Sequence, residues 1–330
     1  MALTLPSRDP DRTTVSGRLS VALCVMACTC LSLTFDTAST AQRGSLPSRI
    51  RVQVIEQGTT ATREIALEEY VSAAAVSEFA PPAGEMALIE RMLEIQAIIS
   101  RTYAVSHLGR HGRDGFDLCS TTHCQLFEPG RLRTSRWAAA AIDAANRTEG
   151  QLLRYADQPA EALFHADCGG HTSRAREVWG GPDRDYLVSR PDRGLGDQTH
   201  VRWEYRVARS ALAKALASDP RTRLEGSLTS IAIARRDDAG RAERIELRSR
   251  GTRKEVRGED FREVLARAFG ARAVRSTWFN VKNVGNDAVF AGRGFGHGVG
   301  LCQAGALARL AAGAKVRDVI AFYYPGTVVN

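Results

Sequence analysis

Lysine is scarce in this chain. Only Lys214, Lys254, Lys282 and Lys315 contribute to its 45 basic residues, so the net charge of +8 is carried almost wholly by arginine. The arginines form no basic run interleaved with aromatics, and from Arg235 to Arg257 they alternate with Asp and Glu. Such a charge would suit an anionic partner, an acidic cell-wall polymer included, but this mixed-sign patterning describes a solvated surface and excludes nucleic acid. No period of solenoid length recurs, which excludes a repeat array. Neither G-x-S-x-G nor H-E-x-x-H occurs, which removes the serine-nucleophile elbow and the zinc-protease helix. Hydrophobic residues at 44% and charged residues at 25% are ordinary globular usage, so wholesale disorder is excluded, and 330 residues leave room for one large domain or two small ones.

Long apolar runs are also lacking, with one exception. Leu19 to Phe35 is apolar, is preceded by Arg8, Arg12 and Arg18, and is followed by Ser39-Thr40-Ala41. Basic, apolar and small segments in that order describe a secretory signal peptide over residues 1–41, cleaved after Ala41. An uncleaved membrane anchor, or a lipoprotein cleaved before Cys28, are the alternatives, and contact with a membrane is expected only through this leader. The mature protein is expected to be exported, periplasmic or at the cell surface. Three of the seven cysteines lie in the leader, which leaves Cys119, Cys124, Cys168 and Cys302. Four cysteines in an exported chain permit two disulfides in any of three pairings.

Arg49 to Glu56 alternates polar and apolar residues and reads as a half-buried strand. Ile65 to Phe79 reads as a helix stopped by Pro81-Pro82, which puts Glu78 at a helix end. Leu88, Met92, Ile95, Ile99 and Tyr103 share one face of a second helix. Thr134 to Gly150 is Ala-rich, with Thr at its start and Gly at its end, and predicts a third. From residue 195 to about 273 motifs thin out. A helix at Ala208 to Ala217, strands at Leu228 to Ala234 and Arg244 to Ser249, and a helix at Glu259 to Phe269 are expected there, as a subdomain inserted between two motif-bearing halves.

Three segments are rich in Gly, His, Cys and Thr: Asp117 to Gln125, Phe164 to Thr172, and Gly292 to Gly305. Hydroxyl, imidazole and amide groups suit sugar hydroxyls and acetamides, so these segments point to a glycan groove. Glycine recurs at every second position from Gly292 to Gly300; in an extended strand all five would share one bare face, which a ligand or another strand must approach closely. The dinucleotide fingerprint G-x-G-x-x-G fails because His297 stands where its last glycine belongs. Cys119 and Cys124, with His111 or His123, could form part of a zinc site, and a disulfide competes with it. Cys168 between His165 and His171 has the surroundings of a nucleophile, and its other reading is half a disulfide.

Together these stretches resemble the SpoIID/LytB family. The likeness is carried in order by Leu67 to Glu78, Gln96, Ser100 to Ala104, Cys119 to Gln125, His165 to Thr172, Glu177 to Gly181, Arg275 to Phe279, the glycine-rich segment and Phe322 to Thr327. The resemblance implies an α+β fold, one compact catalytic domain with a cleft and a smaller inserted α/β lobe. It implies a peptidoglycan lytic transglycosylase cutting the MurNAc–GlcNAc β-1,4 bond of denuded glycan strands to 1,6-anhydro ends. A non-catalytic peptidoglycan-binding activator of a cell-wall amidase is the rival reading.

Carried over residue by residue, the catalytic acid is Glu78, and Arg101, Tyr103, His123, Gln125, His165, Thr172, His297 and Gln303 line the groove. No cofactor is required for this chemistry, and zinc at Cys119 and Cys124 is the one candidate metal. A hydrolase ordinarily needs two carboxylates. A transglycosylase needs one, which protonates the leaving oxygen and then takes the proton of the sugar's own C6 hydroxyl. That carboxyl must be raised toward neutrality, for which Val76, Phe79 and the two prolines offer an apolar setting. Two departures stand out. Glu78 is followed by Phe79-Ala80 where the family usually has Met-Pro. Cys168 and Cys302 occupy positions where it often has Ser, which implies a disulfide between them and leaves Cys119 and Cys124 as the second pair.

Overall fold

The computed structural model describes residues 46–330 apart from 57, 80, 82–84 and 194–199. The leader expected over residues 1–41 lies outside them, as do Ala80 and Pro82 and the first residues of the expected insertion. Strand β1 (Arg49–Glu56) buries Ile50, Val52 and Val54 and exposes the residues between, as its alternation requires. It returns antiparallel as β2 (Thr59–Ala66), which sequence periodicity does not disclose because its first six residues, Thr59 to Glu64, are all exposed. The helix expected from Ile65 therefore starts later, as α1 (Leu67–Glu78), with Ile65 and Ala66 held in the β2 ladder.

Nine of the twelve α1 residues are buried, and its run Ala73-Ala74-Ala75 lets neighbours close in on every side. Against it lies α2 (Met86–Ser106), the helix of the apolar stripe. Strand β3 (Leu118–Cys119) adds parallel to β1. The Ala-rich helix expected from Thr134 starts later, as α4 (Ala138–Arg147), after a separate short helix α3 (Arg131–Thr134), with Trp137 turned into the core between them.

Short pieces follow: β4 (Leu153–Tyr155), β5 (Gln158–Pro159), β6 (Phe164–His165), β7 (His171–Thr172), α5 (Ala175–Trp179) and β8 (Arg190–Pro191). Then come β9 (Arg202–Ala208), α6 (Arg209–Ala217), β10 (Ser230–Arg236), β11 (Ala242–Arg248), β12 (Arg253–Arg257), α7 (Gly258–Phe269), β13 (Phe279–Val284) and β14 (Asp287–Arg293). The chain ends with β15 (Leu301–Cys302), α8 (Gln303–Ala311), α9 (Val316–Tyr323) and β16 (Val328–Val329). The fold is α+β, and none of the described helices is long and apolar enough to cross a membrane.

Three apolar clusters organise it. One joins the end of α1 to α2, α8 and α9, another joins β1 and the start of α1 to Phe116, Leu118 and Phe127, and the third runs from Trp203 to Phe290. The third draws Phe279, Ala288 and Phe290 from beyond residue 273, because β9 pairs antiparallel with β14, and β14 with β13. In another part of the fold, β15 runs parallel to β6, with Leu301 opposite Phe164 and Cys302 opposite His165. That pairing brings the second and third motif segments together.

Candidate functional site

Glu78 is the last residue of α1, and Phe79 leaves the helix with extended backbone. The backbone N–H of Leu126 donates to Glu78 Oε1 at 2.5 Å. Burial pushes the carboxyl from 4.5 up to about 7, and the Leu126 amide pulls the other way without cancelling it. The rise comes from an apolar setting rather than from a neighbouring carboxylate. The phenols of Tyr70 and Tyr103 lie within electrostatic reach of the same carboxyl. Leu126 also lines a groove of about 870 Å³, together with Val54, Glu56 and Ala61 of the hairpin and Ser120, Thr121, Glu128 and Pro129; Glu78 itself is not in that lining. Leu126 thus lines the groove and holds the acid.

A line of buried amides reaches Glu78 from behind. Gln303 Nε2 donates to the Glu78 carbonyl at 3.3 Å and to Gln96 Oε1 at 3.1 Å. Gln96 Nε2 donates to Ser100 Oγ at 3.2 Å, and Gln125 Nε2 donates to the same hydroxyl at 2.9 Å. Gln125 and Gln303, expected along the groove, are buried and meet through Gln96 and Ser100. Gln303 opens α8 directly after the glycine-rich segment, so the end of α1 is tied to two of the three motif segments.

The first of those segments also gathers His111, Cys119, His123 and Cys124, whose ligand atoms all lie within 4.8 Å of one another. His111 Nε2 is 3.2 Å from Cys124 Sγ, and His123 Nδ1 is 3.7 Å from both sulfurs. The hydrogen bond from Cys124 holds Cys119 below the ordinary thiol range, at about 3. Two thiols and two imidazoles at these separations match a tetrahedral zinc set, so the residues fit that ion. Both histidines considered from sequence are brought to the two cysteines.

Other expected groove residues turn inward. Arg101 is fully buried, forks onto both carboxylate oxygens of Glu68 at 2.8 and 2.5 Å, and donates to the carbonyls of Ala145 and Gln151. It ties α1 to α2 and to the end of α4. Thr172 donates to the Val188 carbonyl and accepts from the Arg190 amide, pinning β7 to β8. Tyr103 is nearly enclosed, its ring stacked 4.1 Å from His107 and its phenol accepting from Arg110.

His165 is buried with Nδ1 against the Val299 carbonyl at 3.1 Å, and desolvation holds its imidazole neutral. His297 donates from Nε2 to the Phe164 carbonyl at 2.8 Å and accepts the Val299 amide at Nδ1. Burial lowers it to about 4, so it is neutral at pH 7. Its ring lies 4.9 Å from Trp179, which is 38% exposed, and 5.4 Å from His165. His123 is exposed.

The glycine-rich segment is not the extended ribbon expected. Between Gly292 and Gly300 only Gly292 and Arg293 belong to a strand, and Gly294, Gly296, Gly298 and Gly300 all have positive φ, so no single bare face forms. What approaches the backbone is protein: a Cβ on Gly300 would meet the Leu163 carbonyl oxygen at 2.0 Å, and one on Gly296 would meet His165 at 2.8 Å. Two contributors escape sequence reasoning. The Leu126 amide is a backbone donor without a side-chain signature. Ser100 stands in a matching motif, yet only its place between two glutamines shows its use.

The description that matches residues 55–155 is that of the stage II sporulation protein, SpoIID, and a domain of unknown function matches residues 192–300. An uncharacterised protein of Brachyspira hyodysenteriae is 29% identical over 80% of this chain and 66% of its own length. The stage II sporulation protein D of Bacillus subtilis is 26% identical over 86% of this chain and 80% of its own. The amidase enhancer of the same organism is 25% identical, over 72% of this chain but only 38% of its own length.

Proposed function

Since the chain belongs to the SpoIID/LytB family and its role is cell-wall related, we propose that it is a peptidoglycan lytic transglycosylase with Glu78 as its acid and base. The observation that supports this reading is a buried carboxyl raised to about 7 and held by the amide of Leu126, a residue that lines the groove. Near neutral pH about half the molecules carry the proton. That proton goes to the glycosidic oxygen as the bond to C1 breaks, and the carboxylate then takes the proton of the C6 hydroxyl as O6 closes on C1. Net water is not consumed, so a second carboxylate is not needed.

In this reading His111, Cys119, His123 and Cys124 hold a zinc ion. When bound, zinc supplies a structural cross-link rather than a reaction step. The loop it would fix carries Gln125 to the amide line and Leu126 to Glu78. The substrate lies outside the cytoplasmic membrane, so export belongs to the proposal. The similarity to an amidase enhancer supports one rival, a binder that activates a separate cell-wall amidase.

The two separate on one assay. The purified protein and Glu78→Gln are incubated with denuded glycan strands, and the products are read by mass spectrometry for 1,6-anhydro ends. Anhydro ends from the unaltered protein alone support the proposal. Equal product from both removes Glu78 as the acid, and product from neither favours the activator.

A further inference from the structure

Cys168 and Cys302 are both sealed from solvent, at 0% exposure, and both sulfurs are free thiols in this structure. Cys302 lies in β15, Cys168 follows shortly after its parallel partner β6, and the backbone N–H of Cys168 donates to Cys302 Sγ at 3.2 Å. Cys302 Sγ also caps α8 by accepting the Gly305 amide at 3.3 Å, and Cys168 Sγ accepts the Gly170 amide at 3.3 Å. Each sulfur is therefore used mainly as an acceptor, a role that a disulfide sulfur keeps. The S–H donation from Cys168 to Asp192 Oδ2 is long at 3.7 Å. Asp192 stays satisfied without it, because Tyr323 and Arg309 both donate to its carboxylate.

We propose that Cys168 and Cys302 close a buried structural disulfide as the chain folds in contact with a disulfide donor. In the first step one cysteine thiolate attacks a sulfur of the donor, a protein or glutathione-type disulfide, and releases one donor thiolate. The second cysteine thiolate then attacks the first cysteine's sulfur and releases the other. The pair gives up two protons and two electrons, and the donor is reduced to two thiols. The bond closes a loop of 134 residues, a length at which cross-linking strongly restricts the unfolded chain. It joins the segment bearing His165 to the strand that opens α8, and with it Gln303.

A metal is the competing use of this cluster, since His165 lies within 4.8 Å of both sulfurs. With Asp192 engaged by Tyr323 and Arg309, three protein donors in a sealed site leave zinc one ligand short. Nucleophilic use of Cys168 is excluded by its burial.

The test does not depend on any catalytic activity. The full chain is refolded in a buffer of oxidised and reduced glutathione, denatured in guanidinium with EDTA, alkylated without reductant and mapped by mass spectrometry. Alkylated Cys119 and Cys124, together with a cross-linked species joining the Cys168 and Cys302 peptides and two hydrogens lighter than their sum, is the expected result. Alkylation of Cys168 and Cys302 in every fraction overturns the proposal, as does a different pairing. A second equivalent of zinc that shields these two thiols until chelation also overturns it, in favour of the metal. As a further check, C168S/C302S is expected to lower the folding equilibrium constant roughly 100-fold relative to the oxidised protein. Relative to the reduced protein it is expected to change little, and equal stability of the oxidised protein and the double variant would also overturn the proposal.

Discussion

The Leu126 amide and the Glu78 carboxylate oxygen are hydrogen-bonded at 2.5 Å, and this contact, with the Glu128 amide donating to Ser77 Oγ at 3.1 Å, joins the end of α1 to the loop after the Cys–His cluster. Glu78 is therefore placed by two elements far apart in sequence. If it is the acid, Glu78→Gln, which keeps the shape and loses the titrating group, is expected to lower kcat on denuded glycan by roughly 10²–10⁴-fold with the fold unchanged. Activity within threefold of the unaltered protein would remove Glu78 from the chemistry.

The same carboxyl sets a pH dependence of stability. Its folded value of about 7 lies above its ordinary 4.5, so the neutral form is the one the fold favours. Its contribution is fully present below the ordinary value and is lost as pH rises through about 7. Between about pH 5 and pH 8, Glu78→Gln should gain roughly 2–3 kcal/mol relative to the unaltered protein. Urea melts at the two pH values check this; parallel curves would show an ordinary, solvated carboxyl.

Removing the amide line should disturb the acid without touching it. Gln303→Ala deletes the bonds to the Glu78 carbonyl and to Gln96 and leaves buried acceptors behind. A loss of roughly 1–3 kcal/mol in stability is expected. With it should come a fall in kcat larger than any change in KM, and a shift in the pH midpoint of activity. Activity and pH profile unchanged would restrict Gln303 to packing.

Metal removal has its own readout. One zinc per chain is expected by metal analysis, and Cys124→Ala should abolish it. Chelation should lower the thermal midpoint and speed hydrogen exchange at the Leu126 amide. Zinc-free protein with the same midpoint as the loaded one would return Cys119 and Cys124 to a simple thiol pair.

Arg101 offers a contrast, because the fold uses all of its reach. Arg101→Ala strips a partly enclosed Glu68 of its fork and opens a void beside α4, so a loss of roughly 3–5 kcal/mol in stability is expected. Glycan binding by the surviving folded fraction should be unaltered. A folded, stable variant that no longer binds glycan would place Arg101 at the groove after all.

Sequence disclosed the parts of the fold whose periodicity is set by burial. The alternation of β1 and the stripe from Leu88 to Tyr103 are both present where expected. Strand β2 was hidden because its ladder with β1 is a backbone relation made by exposed, polar residues. The Ala-rich helix was read as starting too early, at Thr134, because that residue suits a helix start, whereas in the fold Trp137 is buried ahead of the alanine run and the helix begins at Ala138. At the site, Glu78 and the cysteine–histidine set were legible as residue types at helix-end and loop positions. That Gln125 and Gln303 meet through Gln96 and Ser100 was not, since it depends on the tertiary approach of α2, α8 and the loop after Cys124.

Val201 and Gly294 are joined by a single 2.8 Å hydrogen bond, and β9 and β14 leave that point side by side. The stretch between them is thus a detour whose way out adjoins its way in. Chain added to or trimmed from the far side of that excursion would leave both gateposts where they stand, and the entropy of closing a longer loop rises only slowly with its length. Size in this part of the molecule can drift while the spacing of the flanking motif segments is held fixed.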